Sequence, residues 1–547
     1  HIWNVAKEVY VVSLPFKITE DHGKDLYDYL ATENNLQQLI NAAPLYEPPK
    51  PEGEDVIVVD SEDVDVVVIA FLEWCRVEYK YNSFDGISIY VNGKYQRVTD
   101  TNEVRLHIRR FLAKCKILKK KKGLAPFSRK TKGFISDMIE TICSLPDVHL
   151  LPGQKAPCSL DGSLDPISTI AANNCLLGIS SFPPKQYPLT KDFYTINYLD
   201  IDYDPEAGCP VWKNEFLPSV FFLKKLSANK TDMDNDGNWV EGYDEVPDTI
   251  SIRLLQEFMG LLLTLVTKYQ KILGIVGPKR SGKGTIGRII RKLAGGINVA
   301  APTLSSLTTE FGLYGLIGKT VAIIGDASLG GKSRDVRVAV EQLKAISGED
   351  AMSIRRMRTT PLDLPKMSLR FVIMGNELQA LTDPTGALAS RWLYLFTKRS
   401  FLGKEDLELE DKLTAELPGI LNWSLEGLHR LTERGHFKEP PDSVRGREAA
   451  EEIGSSVIAF SRECCNFHRH NRVRKTELWA AFRKWADESG RKTFGKHRFY
   501  SDFEAAFPDC SCSKTRTGNS GTNPVWAFFG IELQEEWRDL EMKSGAN

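Results

Sequence analysis

A chain of 547 residues has material for three or four domains of ordinary size, and its 42% apolar and 26% charged residues are typical of a globular protein. No apolar run approaches the ~18 residues a membrane helix needs, no CxxC pair occurs among ten cysteines, and no basic and apolar leader follows His1. These features argue against a membrane role, a zinc ribbon and a secreted disulfide scaffold, and they point to a cytoplasmic setting; a formal net charge of −1 leaves any attraction for nucleic acid to local clusters.

In chain order, residues 1–45 read as a short strand at 8–14 and a helix reaching Ile40, with Asp21 and Asp25 as acids favoured near a helix N-terminus. The opening His1 leads us to expect a natural polypeptide that begins further upstream. Residues 46–60 are a linker, since 44–55 holds four prolines and four acids. An α+β domain is expected over 61–226, with a buried helix at 63–79, a hairpin around Asn92-Gly93, helices at 105–115 and 134–145, and a closing helix at 212–226. Its loop Lys119-Lys120-Lys121-Lys122, with Arg129, Lys130 and Lys132, reads either as a contact to a DNA backbone or as a solvated connector. Residues 227–250 are a polar insertion in which Asp232, Asp234 and Asp236 imitate half of a calcium loop. The twelfth place, where a bidentate Glu belongs, is Tyr243, so a surface loop is the expectation.

Residues 251–440 carry the chemistry. A helix at 254–268 and a β run ending at Val276 lead into Gly277-Pro278-Lys279-Arg280-Ser281-Gly282-Lys283-Gly284-Thr285, and helical spacing resumes at Ile286, Ile289, Ile290 and Leu293. A loop of this kind aims backbone N–H groups and a helix N-terminus at a phosphate chain, with Lys283 on the β and γ phosphates of ATP. Gly284 displaces the hydroxyl expected on Mg²⁺ to Thr285. A second β run, 320–326, ends in Asp326, whose carboxylate would meet Mg²⁺ from the neighbouring parallel strand. A third, 369–377, ends in Asn376, suited to orienting an attacking water, and Arg391 follows at the module's edge. Between the second and third runs, residues 351–370 hold five basic residues against Asp363; Arg355, Arg356, Arg358 and Lys366 suit a loop or hairpin that grips nucleic-acid phosphates, with a solvated face as the alternative.

This order of phosphate loop, acidic strand, basic insertion, sensor Asn376 and Arg391 resembles superfamily 3 helicases. More narrowly, Gly-Pro-Lys-Arg-Ser-Gly-Lys-Gly-Thr (277–285), Ile-Ser-Gly-Glu-Asp-Ala (346–351) and Ala-Leu-Ala-Ser-Arg-Trp (387–392) look like phage and plasmid primase-helicases related to the poxvirus primase-helicase. The likeness takes in Asn173-Asn174-Cys175, 202–210 and 416–423, most of residues 80–440. It implies an AAA+-like P-loop ATPase behind a collar domain, assembled as a homo-hexamer and acting on single-stranded and forked DNA with ATP and Mg²⁺. Arg391 would then serve the neighbouring subunit's site. The bacterial host cytoplasm and an upstream primase domain are further implications, because residues 1–45 resemble the last strand and helix of a Toprim-type primase domain. One departure is that Asp326 is followed by Ala327 and Ser328, where many relatives have a second acid, which leaves the water-activating base unassigned. The rivals are an ATP-dependent origin-binding scaffold and, from Gly-Lys-Gly-Thr, a small-molecule kinase.

Residues 441–547 are expected to form a winged-helix domain, with helices at 447–469, 476–488 and 496–507 and two β runs. Eleven Lys and Arg against four Asp and Glu in 461–500 make it basic, and Lys496 and Arg498 at the start of the third helix are placed to contact DNA. Cys464, Cys465, His468 and His470 do not suggest zinc, because adjacent cysteines on one helix cannot both face one ion.

Overall fold

The computed structural model describes residues 56–119, 123–151, 154–233, 239–325, 333–356, 359–378, 381, 387–491, 493–515 and 524–538. Residues 1–45 with Asp21 and Asp25, the tip residue Asp326, Arg358, and the acids Asp234 and Asp236 lie outside them.

Among the described residues two compact units emerge, and the first takes 56–82, 86–89 and 97–150. Helices Val64–Cys75, Thr101–Lys114 and Lys132–Ser144 bury Phe71, Phe111 and Met138 in one core, with Phe71 and Phe111 edge-on at 5.4 Å. Each helix is set by its first residues: Asp63, Asp100 and Thr131 accept from the N–H groups of Asp65, Asn102 and Phe134. The first helix stops at Cys75, short of the expected Tyr79, because Arg76 adopts φ 50. Asn92 and Gly93, at φ 50 and 81, form the expected tight turn between strands Gly86–Val91 and Lys94–Arg97.

The second unit takes 83–85, 90–96 and everything from Leu151. Its centre is a sheet of strands β1 (Ile272–Val276), β2 (Val299–Ala300), β3 (Val321–Ile324), then β6 (Arg370–Gly375) and β7 (Trp392–Phe396), in the order β2-β3-β6-β1-β7 with every neighbour parallel. Strands β4 (Met352–Arg356) and β5 (Thr359–Leu364) pair only with each other, as an antiparallel hairpin between β3 and β6 in sequence. The strand leading to Asp326 was expected beside the phosphate-loop strand. Instead β6 separates them, Val372 pairing with Leu273 on one side and Ile323 on the other. Strands β1, β3 and β6 are buried at every residue, as expected of inner strands in a sheet covered on both faces.

Helix α1 (Thr249–Leu262) and α5 (Leu417–Arg434) cover one face. Gly260 and Gly427 let their backbones touch, since a Cβ on Gly260 would lie 2.2 Å from the Ser424 carbonyl. The α1 helix ends at Leu262 and not at Lys268, because the buried guanidinium of Arg370 accepts no continuation there: it donates to the carbonyls of Leu262 (3.0 Å) and Thr264. Helices α2 (Lys283–Ala294), α3 (Ser333–Ser347) and α4 (Leu409–Ala415) complete the body.

Residues 212–226 are not one helix. A wide turn, Val211–Phe216, and a short helix, Leu217–Val220, end at Phe221 (φ −111, ψ 101), and Phe222–Met233 runs on as a strand paired with Trp239–Pro247. The aromatic and aliphatic run of Phe222 and Leu223 finds Pro247 and Val246 opposite, and this pairing outcompetes helical propensity.

The C-terminal stretch also departs from expectation. Helix 447–469 is replaced by α6 (Pro441–Gly454), α7 (Ser456–Cys464) and strand β8 (Cys465–Arg474), with Ser455 capping α7 through the Ile458 N–H. Helices α8 (Lys475–Glu488) and α9 (Lys496–Ala506) follow, then β9 (Cys512–Thr515) and β10 (Val525–Leu533), giving an antiparallel sheet in the order β8-β10-β9. Phe460, Phe482, Trp485, Phe499, Phe503 and Phe528 pack as its core.

Candidate active site

The site begins where β1 leaves the sheet. At Gly277 a Cβ would lie 2.0 Å from Thr397 Oγ1 and 2.3 Å from the Thr397 carbonyl, so glycine alone lets the end of β7 approach this closely. The loop is then tied to its neighbours. Gly277 N–H donates to Gly375 O (3.2 Å), Thr397 N–H to Val276 O (2.9 Å), Phe401 N–H to Arg280 O (2.8 Å) and Ser400 Oγ to Lys279 O (2.8 Å). Ser281 Oγ, buried, meets Thr397 Oγ1 at 2.6 Å. Gly282, at φ 89, starts α2 with no side-chain cap, and a Cβ on it would press on Val220 and Phe216. The first N–H groups of α2 therefore face the loop with no side chain standing in for an anion.

Lys283 Nζ folds back across this loop and donates to the carbonyls of Gly277 and Pro278, 2.6 Å each, and to Ser281 Oγ at 3.3 Å. Burial holds its pKa below the usual lysine range. Among the described residues no carboxylate pairs with it, so a bound anion is the partner that would offset the burial of its charge.

The loop opens into a cleft of about 900 Å³. Its polar wall holds residues 279–285 and Asn376, which is exposed just past the end of β6. Phe216, Phe401 and Leu409 add apolar surface to its lining. Glu410 stands at the rim, 2.6 Å from Arg288 Nε and 2.9 Å from Lys292 Nζ. Burial works to raise its pKa, but the two cations outweigh burial and hold it low. Thr285 Oγ1 accepts from Arg288 Nη2 at 3.3 Å and faces the cleft. The arrangement suits a polyphosphate over the loop with a flat apolar group against these apolar side chains. The hydroxyl of Thr285 is a hard oxygen of the kind Mg²⁺ takes. Its expected partner, Asp326, falls two residues beyond β3, outside the described residues. No group of three metal-binding side chains occurs among the described residues, which include Cys464 and Cys465 at the junction of α7 and β8.

The structure thus brings the loop residues, Thr285 and Asn376 to one cleft. It places the other expected residues elsewhere. Arg391 is turned onto the C-terminal end of α3, donating to Lys344 O and to Ser347 Oγ at 2.9 Å. The basic segment is less basic than its composition. Arg370 is buried, Lys366 is held by Glu349 at 2.9 Å, and Arg355 pairs with Glu310. The last pair is mostly exposed and contributes little, so Arg355 is easily released. Lys496 and Arg498 are exposed on α9, Arg498 lying 3.4 Å from Asp502 and over the Phe494 ring.

One support went unread in the sequence. Both carboxylate oxygens of Glu416 accept from the N–H groups of Val211 and Trp212, at 2.9 Å each, and so cap the turn whose Phe216 and Val220 lie behind Gly282. Asn422 Nδ2 donates to the carbonyls of Asp204 (2.7 Å) and Ala207 (3.0 Å), and Asn174 exchanges two hydrogen bonds with Tyr203. The segments 173–175, 202–210 and 416–423 therefore meet as a structural joint beneath the loop. A carboxylate just ahead of Leu417-Pro418 at a helix start is the signal that marks Glu416.

Comparison with known families adds two matches. Residues 275–391, from β1 through Arg391, match a profile described as a family of unknown function (DUF5906). Residues 455–529 match one described as Poxvirus D5 protein-like. The expected likeness covers most of 80–440, and the poxvirus-type match covers 455–529, in the C-terminal domain. No curated protein sequence matches the chain. Among solved structures, the A form apo structure of NrS-1 C terminal region-CTR is 9% identical, with 85% of this chain and 98% of that one covered at a TM-score of 0.39. The apo structure of NrS-1 C terminal region (305-718) is 10% identical, with 86% and 100% covered at 0.38. No helix among the described residues is long and apolar enough to cross a membrane.

Proposed function

We propose that the chain is an ATP-dependent DNA helicase of superfamily 3 type, an AAA+-like motor that assembles as a ring and carries a winged-helix domain behind it. The observation that carries this reading is the opening of Lys283 and Asn376 into one cleft, from strands β1 and β6 that are neighbours in a five-stranded parallel sheet. In an open parallel sheet, ligands collect at the carboxyl ends of the strands, where the order reverses. Lys283 would leave its loop carbonyls for the β and γ phosphates of ATP, while the loop N–H groups and the start of α2 hold the rest of the chain. Asn376 would orient the attacking water, and Thr285 with Asp326 would hold Mg²⁺, which supplies charge neutralisation on the phosphates. Arg391 would act on the neighbouring copy's nucleotide, which requires it to leave Lys344 O and Ser347 Oγ.

The hairpin β4–β5, with Arg355, Arg356 and Arg358, would grip the strand that passes the ring, and the α9 face with Lys496 and Arg498 would contact duplex at the fork. The topology α7-β8-α8-α9-β9-β10 supports the winged-helix reading. The engagement of Arg391 within its own chain favours one second reading, a nucleotide-dependent scaffold that assembles on an origin without unwinding it. The test of the motor is Lys283→Ala, which should abolish ATP hydrolysis without changing the melting temperature. Retained turnover would remove the cleft from the mechanism.

A further inference from the structure

Strand β8 does not run straight along β10. Phe467 pairs with Ile531 and Arg472 with Phe529, so five steps on β8 face two on β10, and three extra residues are pushed out opposite Gly530. Bulges of this kind re-aim side chains away from the sheet. Between the two pairs, opposite Gly530 alone, stand His468, Arg469, His470 and Asn471, of which the first three are exposed, as is Arg472. Among the described residues none of the side chains of His468, Arg469, His470 and Arg472 has a carboxylate within ion-pair distance. Arg472 reaches only Thr515 Oγ1 at 3.3 Å, and the acid on the facing strand, Glu532, is held by Arg538 at 2.9 Å. Beside the bulge, Phe467 stands 45% exposed, one side of its ring against Phe507 with centroids 4.9 Å apart. An exposed sheet edge that spends its side chains on unpaired cations and a half-open aromatic ring has no role in the core.

We propose that this bulge is a second nucleic-acid contact of the C-terminal domain, separate from α9: Arg469 and Arg472, with His468 and His470, hold phosphates of a single strand, and Phe467 stacks on a base. Cations beside an aromatic platform are the chemistry by which single strands are held without sequence selection. An acidic peptide would use the cations but has no flat ring to set against Phe467. The inference rests on the reading of the C-terminal domain as a DNA-binding module and adds to it a surface and a ligand form.

The test is fluorescence anisotropy of the full chain with a labelled oligodeoxythymidylate of about twenty nucleotides, titrated across salt. The Arg469→Ala/Arg472→Ala chain should bind about tenfold more weakly, with the slope of log affinity against log salt reduced by about 1.4, or roughly 0.7 per phosphate lost. Arg469→Lys/Arg472→Lys should restore the slope. Phe467→Ala should weaken binding at least about fivefold with the slope unchanged, as stacking carries no counterions, and Phe467→Trp should retain affinity. Circular dichroism establishes that each variant is folded. If the parent chain binds the oligonucleotide and every bulge variant binds as the parent does, the bulge is no contact and this inference falls alone. If the parent does not bind at all, the DNA-binding reading of the domain falls with it.

Discussion

The phosphate-loop cleft and the two basic surfaces, the β4–β5 hairpin and the C-terminal domain, would solve anion binding in opposite ways. In the cleft the binding groups are backbone N–H groups and one lysine, held by buried contacts that leave no room for a Cβ at Gly277. On the hairpin and the C-terminal domain they are exposed side chains, some already shared with acids such as Glu310 and Asp502. A site built from packed backbone should respond to one change almost completely. A site built from exposed cations should respond in small, salt-dependent steps.

That contrast can be broken by substitution. Lys283→Ala should lower ATP turnover at least about a hundredfold, measured by phosphate release, because the amine is the one side-chain cation of the loop that turns inward. Gly277→Ala should destabilise the fold by about 3 kcal/mol in denaturant titration and abolish nucleotide binding, since Thr397 cannot retreat without pulling β7. Glu416→Ala should cost about 1 kcal/mol by the same measurement, typical of a lost cap. It should also weaken nucleotide binding without abolishing it, because the turn behind Gly282 loosens. Smallest is the hairpin. Arg355→Ala should weaken single-strand binding about threefold and lower its salt slope by roughly 0.7, and it should affect turnover without DNA less than DNA grip. If Arg355→Ala were as complete in effect as Lys283→Ala, the hairpin would belong to the packed kind of site.

How much of this was legible follows the same division. The loop from Gly277 to Thr285 could be read because its backbone demands glycine at fixed spacing, and the flanking strand and helix are local. Asn376 could be read because a polar residue ends an apolar run. The order of the sheet could not. The runs 320–326 and 369–377 look alike one at a time, both being buried throughout as strands, and the pairings that put β6 between β1 and β3 join segments remote in sequence. Charge counting misplaced Arg370, since composition does not show that its guanidinium is spent on the carbonyls at the end of α1. Strand β8 was missed for a related reason. Cys465–Arg474 has no turn signal to separate it from α7, and its extended state comes from pairing with β10, sixty residues away in sequence. Glu416 was quoted for its likeness and not for its role, because its partners, Val211 and Trp212, lie two hundred residues upstream.

The most direct test is ATP hydrolysis by the intact chain with and without single-stranded DNA, run beside strand separation on a forked duplex with the same preparation. The helicase reading predicts turnover that rises with DNA and is accompanied by unwinding, both lost in Lys283→Ala. Turnover indifferent to DNA, with no strand separation, would contradict it and leave the cleft serving assembly or a small-molecule substrate.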